Sequence, residues 1–280
     1  MEQLEKLISD AFAEDIGSGD HSTLACIDKG AQGIALLKVK DDGILAGVEV
    51  AEKIFSMMQS SVEFKRLKYD GETMQFGEIA FEVKAKVHTI LSCERLVLNT
   101  MQRMSGIASL TAQYVDKLKP YHTKLLDTRK TTPNFRLLEK EAVKIGGGFN
   151  HRFGLYDMIM LKDNHIDYCG SIEKAIDLAY SYVQKQQLDL KIEVETRTLD
   201  DVKRVLNIGK VHRIMLDNFA IDDIKVALQM IDSKYETEAS GGINLDNLEM
   251  YARTGVDYVS CGAVIHQAKS LDLSLKAQIV

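Results

Sequence analysis

Hydrophobic residues recur along the chain with different periods, and each period marks a region. Leu4, Leu7, Ile8, Ala11 and Phe12 share one helical face, so the first element is a short amphipathic helix. Two short apolar runs follow, GIALLKV (33–39) and GILAGV (43–48), on either side of the hairpin-type pair Asp42-Gly43. Residues 46–58 return to a helical period. Asp70-Gly71 marks a turn, and IAFEVKAKV (79–87) alternates like a half-buried strand. This region is expected to be an α+β domain with antiparallel strands. From Ser92 through Lys119 the pattern is helical again. It predicts two helices, broken near Ser105-Gly106 and stopped by Pro120.

Beyond Pro120 a regular order sets in: strand, loop, helix, repeated. TKLLDT (123–128), DMIMLK (157–162), LKIEVE (190–195), HRIMLD (212–217), YETEAS (235–240) and DYVSCG (257–262) read as strands. Helical stretches at 171–186, 199–207, 222–231 and 245–254 lie between most of them, the last stopping at Gly255. Such alternation indicates parallel βαβ units. Six units in about 140 residues fit a compact or incomplete β/α barrel, since a full eightfold barrel takes about 250. A doubly wound open sheet is the second choice, weakened because the first strand lacks a GxGxxG fingerprint.

Composition narrows the classes. The 280 residues can bury one large core or two smaller ones. A formal charge of -6 argues against a general nucleic-acid binder, which needs a basic face. Cys26, Cys93, Cys169 and Cys261 have no CxxC spacing and read as reduced thiols of a cytoplasmic protein. The N-terminus is acidic and amphipathic, unlike a signal peptide, and no apolar run approaches a membrane span.

Against this acidic background, residues 127–165 concentrate cations at the ends of apolar strands. In β/α barrels chemistry sits at those ends. Read in order, they carry Arg129 and Lys130, Lys162, Glu193 and Glu195, Asp217, Ser240-Gly241-Gly242, and Cys261-Gly262. Taken singly, each has an ordinary explanation. Arg129 and Lys130 fit a solvated loop, Lys162 a snorkelling strand end, and Glu193 and Glu195 an outer strand edge. Asp217-Asn218 fits a helix cap, and the glycines fit tight turns. The Gly146–Gly148 triplet fits a flexible loop, and His151 alone is more often structural. Their coincidence on one rim favours function. Early strands offer cations, with His151 and Arg152 nearby, which suits a small dianion such as an aromatic dicarboxylate. Glu195 and Asp217 suit Mg²⁺, ribose hydroxyls or a developing oxocarbenium ion. Late glycine turns suit a phosphate. Together they describe transfer of phosphoribose onto an acidic heterocycle.

These segments resemble a known family. LLDTRKTTP (125–133), LEKEAVKIGGGFNHRFGLYDMIMLKDNHI (138–166), EVET (193–196), IMLDN (214–218), EASGGI (238–243) and GVDYVSCGAVIH (255–266) are similar to quinolinate phosphoribosyltransferase. EDIGSGDHST (14–23) and CERLVLNTMQRMSGIASLT (93–111) match it upstream. The resemblance implies an α/β chain with two domains. An N-terminal α/β sandwich (1–105) is joined by the C-terminal tail (268–280), and 106–267 form an open, incomplete β/α barrel of the type II phosphoribosyltransferase kind. It implies reaction of quinolinate with phosphoribosyl pyrophosphate and Mg²⁺, giving nicotinate mononucleotide, pyrophosphate and CO2 for NAD synthesis. Arg95, Thr128, Arg129, Lys130, His151, Arg152 and Lys162 map to the quinolinate pocket. Glu195 and Asp217 map to the ribose and metal side. Ser240, Gly241, Gly242, Cys261, Gly262, Ala263 and His266 map to the phosphate side. Lys130, Glu195 and Asp217 are the implied catalytic groups. The family forms homodimers, with Arg95 matching the basic residue lent to the neighbour's site.

Three alternatives stay in view. A molybdenum-transport-associated paralogue alters the TRKTTP and LKDNH segments, which are intact here. A nicotinate-specific transferase binds one carboxylate and needs fewer cations. A non-catalytic phosphosugar or dicarboxylate binder would be favoured by loss of Glu195 or Asp217, and both are present.

Overall fold

The opening amphipathic stretch is helix α1 (Glu2–Ile16), anchored by buried Ile8, in the computed structural model, which describes residues 2–278. Helix α2 (His21–Cys26) begins after Asp20, whose carboxylate accepts the Thr23 N–H at 3.1 Å. There follow β1 (Gln32–Val39), β2 (Gly43–Ile44), α3 (Val48–Met58), β3 (Glu63–Arg66), β4 (Thr73–Met74), β5 (Ile79–Lys86) and α4 (Val87–Leu118). The alternating region contains β6 (Lys124–Leu126), α5 (Arg136–Ile145), β7 (Ile159–Leu161), α6 (Asp163–Cys169), α7 (Ile172–Gln186) and β8 (Ile192–Thr196). It continues with α8 (Leu199–Ile208), β9 (Arg213–Asp217), α9 (Ile221–Ile231), β10 (Glu236–Ser240), α10 (Leu248–Ala252) and β11 (Tyr258–Ser260). Helix α11 (Ala263–His266) and strand β12 (Leu273–Gln278) close the described chain.

These elements cluster into two units. The first takes the chain up to Ala112, then Thr131–Gly147, then everything from Ile265. Its antiparallel sheet has the order β12-β1-β5-β3. Ala35, Leu37 and Val39 of β1 point inward at period two and are buried. Phe55 of α3 packs edge-on against Phe81 of β5, with ring centroids 6.3 Å apart. Both rings are fully buried, each contributing roughly 1.5–3 kcal/mol. The hairpin expected around Asp42-Gly43 does not form. β1 pairs with β12 on one side and β5 on the other, so it has no free edge for the next segment. β2 pairs with β4 instead.

The expected break at Ser105-Gly106 is also absent, for α4 runs unbroken through it. Both residues serve packing. Ser105 Oγ accepts the Ala46 N–H at 3.0 Å. A Cβ at Gly106 would lie 2.0 Å from the Lys269 carbonyl oxygen, so only glycine lets the two backbones approach. The helix stops two residues short of Pro120, as anticipated. The unit boundary falls after Ala112 rather than at residue 105, and 131–147 joins the first unit. Glu139 on α5 explains that excursion. Its fully buried carboxylate accepts from Arg103 Nε at 2.9 Å, from the Thr132 N–H at 2.8 Å and from Thr132 Oγ1 at 3.0 Å. Arg103 also donates to the carbonyls of Ile265 and Ala268, both at 2.8 Å.

The second unit comprises Gln113–Lys130 and Gly148–Val264. Its six strands form one sheet in the order β6-β11-β10-β9-β8-β7, with every neighbouring pair parallel. β6 and β7 lie at its ends, so it is an open β/α barrel. The helices carry their own signals. Ser171 Oγ accepts the Lys174 N–H before α7, and Thr198 with Asp201 forms a capping box before α8. Buried Ile176, Val202, Val205, Ile224 and Ala227 turn the apolar faces inward.

Candidate active site

Parallel strands finish on one side of their sheet, so the second unit gathers its strand ends on one rim. β6 runs into Thr128, Arg129 and Lys130, and β7 into Lys162. Glu195 sits near the end of β8, while Asp217 and Ser240 end β9 and β10. Gly241 and Gly242 follow, and β11 leads to Cys261, Gly262 and Ala263. Lys162 Nζ lies 3.4 Å from Glu195 Oε2, so a cation and an acid meet there across neighbouring strands. Glu195 is almost wholly buried, and its strand is paired on both sides, which excludes the solvent-edge explanation.

Asp217 is braced by the next residue. Asn218 adopts a left-handed φ of 56° and donates from Nδ2 to Asp217 Oδ2 at 2.7 Å. Its backbone N–H reaches the Ser240 carbonyl at 2.8 Å. Gly241, at φ 97°, fits against this residue because it has no Cβ. Cys261 is buried, with Sγ donating to the Ile243 carbonyl at 3.0 Å. Burial pushes its thiol up, so it is an inert group of the rim wall.

Beneath the cationic end lies a buried charge cluster. The His151 N–H donates to Asp127 Oδ1 at 2.8 Å, and its Nε2 stands 2.9 Å from Glu193 Oε2 and 3.3 Å from Glu238 Oε2. Arg213 meets Glu238 at 3.0 Å and Glu236 at 3.0 Å, with its guanidinium over the Tyr258 ring. Burial opposes charge on His151, yet the two glutamates outweigh it and push the ring up to about 9. Burial and then Glu238 push Glu193 up to about 7. The Arg152 N–H approaches His151 Nδ1 at 2.6 Å and opposes a second ring proton. One neutral hydrogen bond contributes about 1 kcal/mol, less than two close carboxylates, so the proton stays in the cluster. Arg152 is lowered by burial and then by Arg129. Arg129 Nε is buried and has no hydrogen-bond partner among the described residues. Two guanidiniums so placed call for an anion.

Both halves of the chain match models of one family. Residues 20–105 match the quinolinate phosphoribosyl transferase N-terminal domain, and 107–276 match its C-terminal domain. The chain belongs to the quinolinate phosphoribosyltransferase family.

Similar members of the family span nearly the whole length. "Quinolinate phosphoribosyltransferase [decarboxylating] 1b" of Nicotiana tabacum is 42% identical, covering 98% of this chain and 82% of that protein. The "probable nicotinate-nucleotide pyrophosphorylase [carboxylating]" of Bacillus subtilis (strain 168) is also 42% identical, over 98% and 93% of the two chains. The crystal structure of NadC from Streptococcus pyogenes superposes with a TM-score of 0.93 at 40% identity, covering 99% and 97%.

Within this family frame, the second unit brings together all the expected site residues except two. Arg95 is exposed on α4 and His266 is exposed at the end of α11, and both belong to the first unit. Asp127, Glu238 and Arg213 were missed by sequence reasoning. Asp127 precedes the TRK motif, and Glu238 sits two residues before Ser240, so strand periodicity could have flagged both as inward. Glu195 and Asp217 offer hard carboxylate oxygens on adjacent strands, but they do not by themselves make a cage. That donor set fits Mg²⁺, which keeps waters and shares substrate phosphate oxygens. Among the described residues, His151, Glu193 and Glu238 lie close enough to ligate a metal, but Arg213 already neutralises that position. No helix of the described chain is long and apolar enough to cross a membrane.

Proposed function

We propose that the chain transfers phosphoribose from phosphoribosyl pyrophosphate to quinolinate with decarboxylation, at the strand-end rim of its parallel sheet. It is a decarboxylating pentosyltransferase that makes nicotinate mononucleotide for NAD biosynthesis, like the relatives that carry this name. The paired guanidiniums of Arg129 and Arg152, with a buried Nε still to be satisfied, carry the assignment. They suit a ring with two carboxylates, and a single carboxylate would leave this charge underused. Thr128, Lys130, Lys162 and His151 complete that half of the pocket. Arg95 is assigned to the site of a second copy in a homodimer, and His266 to the phosphate side. The protein is read as cytoplasmic, with small-molecule substrates and no nucleic-acid partner.

The acids work on the other substrate. As pyrophosphate leaves, positive charge develops at the anomeric carbon, and Glu195 and Asp217 stabilise it electrostatically. The same two residues would hold Mg²⁺, which supplies charge neutralisation for the diphosphate. Ser240, Gly241, Gly242, Cys261, Gly262 and Ala263 line the phosphate end with backbone and small side chains. Lys130 stands at the junction of the two halves. Attack by the ring nitrogen makes the pyridine cationic. The bond to the adjacent carboxylate then breaks, its electron pair enters the ring, CO2 departs, and a proton takes its place. Holding both reactants in register supplies the proximity part of the rate.

Purified protein with quinolinate, phosphoribosyl pyrophosphate and Mg²⁺ should release CO2 and form nicotinate mononucleotide. Nicotinate in place of quinolinate should give little product. Quinolinate binding by calorimetry without release of pyrophosphate would instead support a binding protein. Arg129→Ala and Lys162→Ala should each lose turnover while the fold persists, and near-normal turnover in both sinks the assignment.

A further inference from the structure

Glu193 is poorly explained as a stabilising residue. It is the second residue of β8, a strand buried along its whole length, and is itself fully buried. Neither of its carboxylate oxygens has a hydrogen-bond partner among the described residues, and Oε2 is held by an ion pair alone. A buried carboxylate paid for only in part by its partners stabilises less than an apolar side chain of similar size. Its surroundings point to another role. Glu193 Oε2 holds His151 Nε2 at 2.9 Å, and Glu238 holds the same nitrogen from β10 at 3.3 Å. Glu238 is in turn clamped by Arg213 at 3.0 Å. Asp127 fixes the His151 backbone, and the Arg152 N–H packs on the His151 ring. The ring is therefore set from several strands, and the next residue starts from a fixed point.

That next residue is Arg152, whose charge is opposed by burial and then by Arg129, and favoured by Glu193 and Asp157. Two guanidiniums that act on each other repel before any anion arrives, and buried Glu193 on β8 is a counter-charge that favours Arg152. We propose that Glu193 is a positioning residue for the dicarboxylate: it holds the His151–Arg152 turn and balances the Arg129–Arg152 pair, so the pocket is assembled before substrate binds. Such preorganisation lowers the cost of binding without a contact between Glu193 and the ligand. This rests on the proposed function, because the dicarboxylate is quinolinate only if that assignment holds.

The test is Glu193→Gln, which keeps size and removes charge. The KM for quinolinate is expected to rise about tenfold, the effect of losing one close charge pair behind the pocket. Affinity for phosphoribosyl pyrophosphate, measured by calorimetry with Mg²⁺ present, should stay within about twofold. A purely structural role would weaken both substrates together. Equal weakening, or an unchanged quinolinate KM, overturns the proposal. If the glutamine variant does not fold, Glu193→Asp keeps the charge and withdraws it by one methylene. Its quinolinate KM should rise about threefold, and a wild-type value overturns the proposal as well. The wild type is assayed alongside: absence of quinolinate turnover there refutes the function itself, whereas normal wild-type turnover isolates a failure to Glu193.

Discussion

Adding one methyl group at Gly241 should damage both the fold and the phosphate half of the site. Gly241 has φ 97°, where an alanine costs about 1–2 kcal/mol. A Cβ there would stand 2.2 Å from Asn218 Oδ1 and 2.9 Å from the Asn218 backbone nitrogen. The side chain alone cannot yield, because the backbone is also in the way. Asn218 must move, and it holds Asp217 at 2.7 Å and the Ser240 carbonyl at 2.8 Å. Losing those two bonds costs about 1 kcal/mol each. Gly241→Ala should therefore lose about 3–4 kcal/mol in urea unfolding, summing the backbone and hydrogen-bond costs. Gly242 supplies the control. It also has positive φ, at 63°, but a Cβ there meets nothing within 4 Å. Gly242→Ala should lose only the backbone cost, about 1–2 kcal/mol. The KM for phosphoribosyl pyrophosphate should rise about tenfold in Gly241→Ala, as displaced Asn218 releases Asp217. Equal destabilisation by the two variants would refute the clash, and an unchanged KM would refute the link through Asn218.

Two further outcomes follow from buried charge. Glu139→Ala leaves Arg103 and two Thr132 donors without their acceptor, so it should destabilise the first unit by about 3–5 kcal/mol by calorimetry; a loss below about 1 kcal/mol would contradict the network. His151 and Glu193 both have folded-state values above their ordinary ones, about 9 and about 7. Groups shifted upward bind protons more tightly in the folded state, so their contribution is complete at low pH and is lost as pH rises through those values. Unfolding free energy should therefore decline from about pH 4.5, where unfolded Glu193 titrates, to about pH 9, where folded His151 does, and a flat or rising profile in urea titrations would show that the cluster does not hold its proton.

The sequence by itself determined most of the secondary structure and the membership of the rim. The parallel strands announced themselves by apolar runs ending in charge, as DMIMLK and HRIMLD do, and parallel order alone sends their last residues to one side. Arg129, Lys162, Glu195 and Asp217 could be listed on that ground, and the family motifs ordered them further. What the tertiary structure decided was which partner each group meets. Ser105-Gly106 looked like a helix break, because local propensity cannot see that the Lys269 backbone fills the space over Gly106. Asp42-Gly43 looked like a hairpin, because a turn signal does not reveal that both edges of β1 are already taken. Thr131–Gly147 follows β6 in the chain yet joins the first unit, since Glu139 finds Arg103 there. The cluster of His151, Glu193, Glu238 and Arg213 draws on residues 42 to 87 positions away from His151. Burial and opposite charge, felt only once the strands lie side by side, turn those scattered letters into one electrostatic unit.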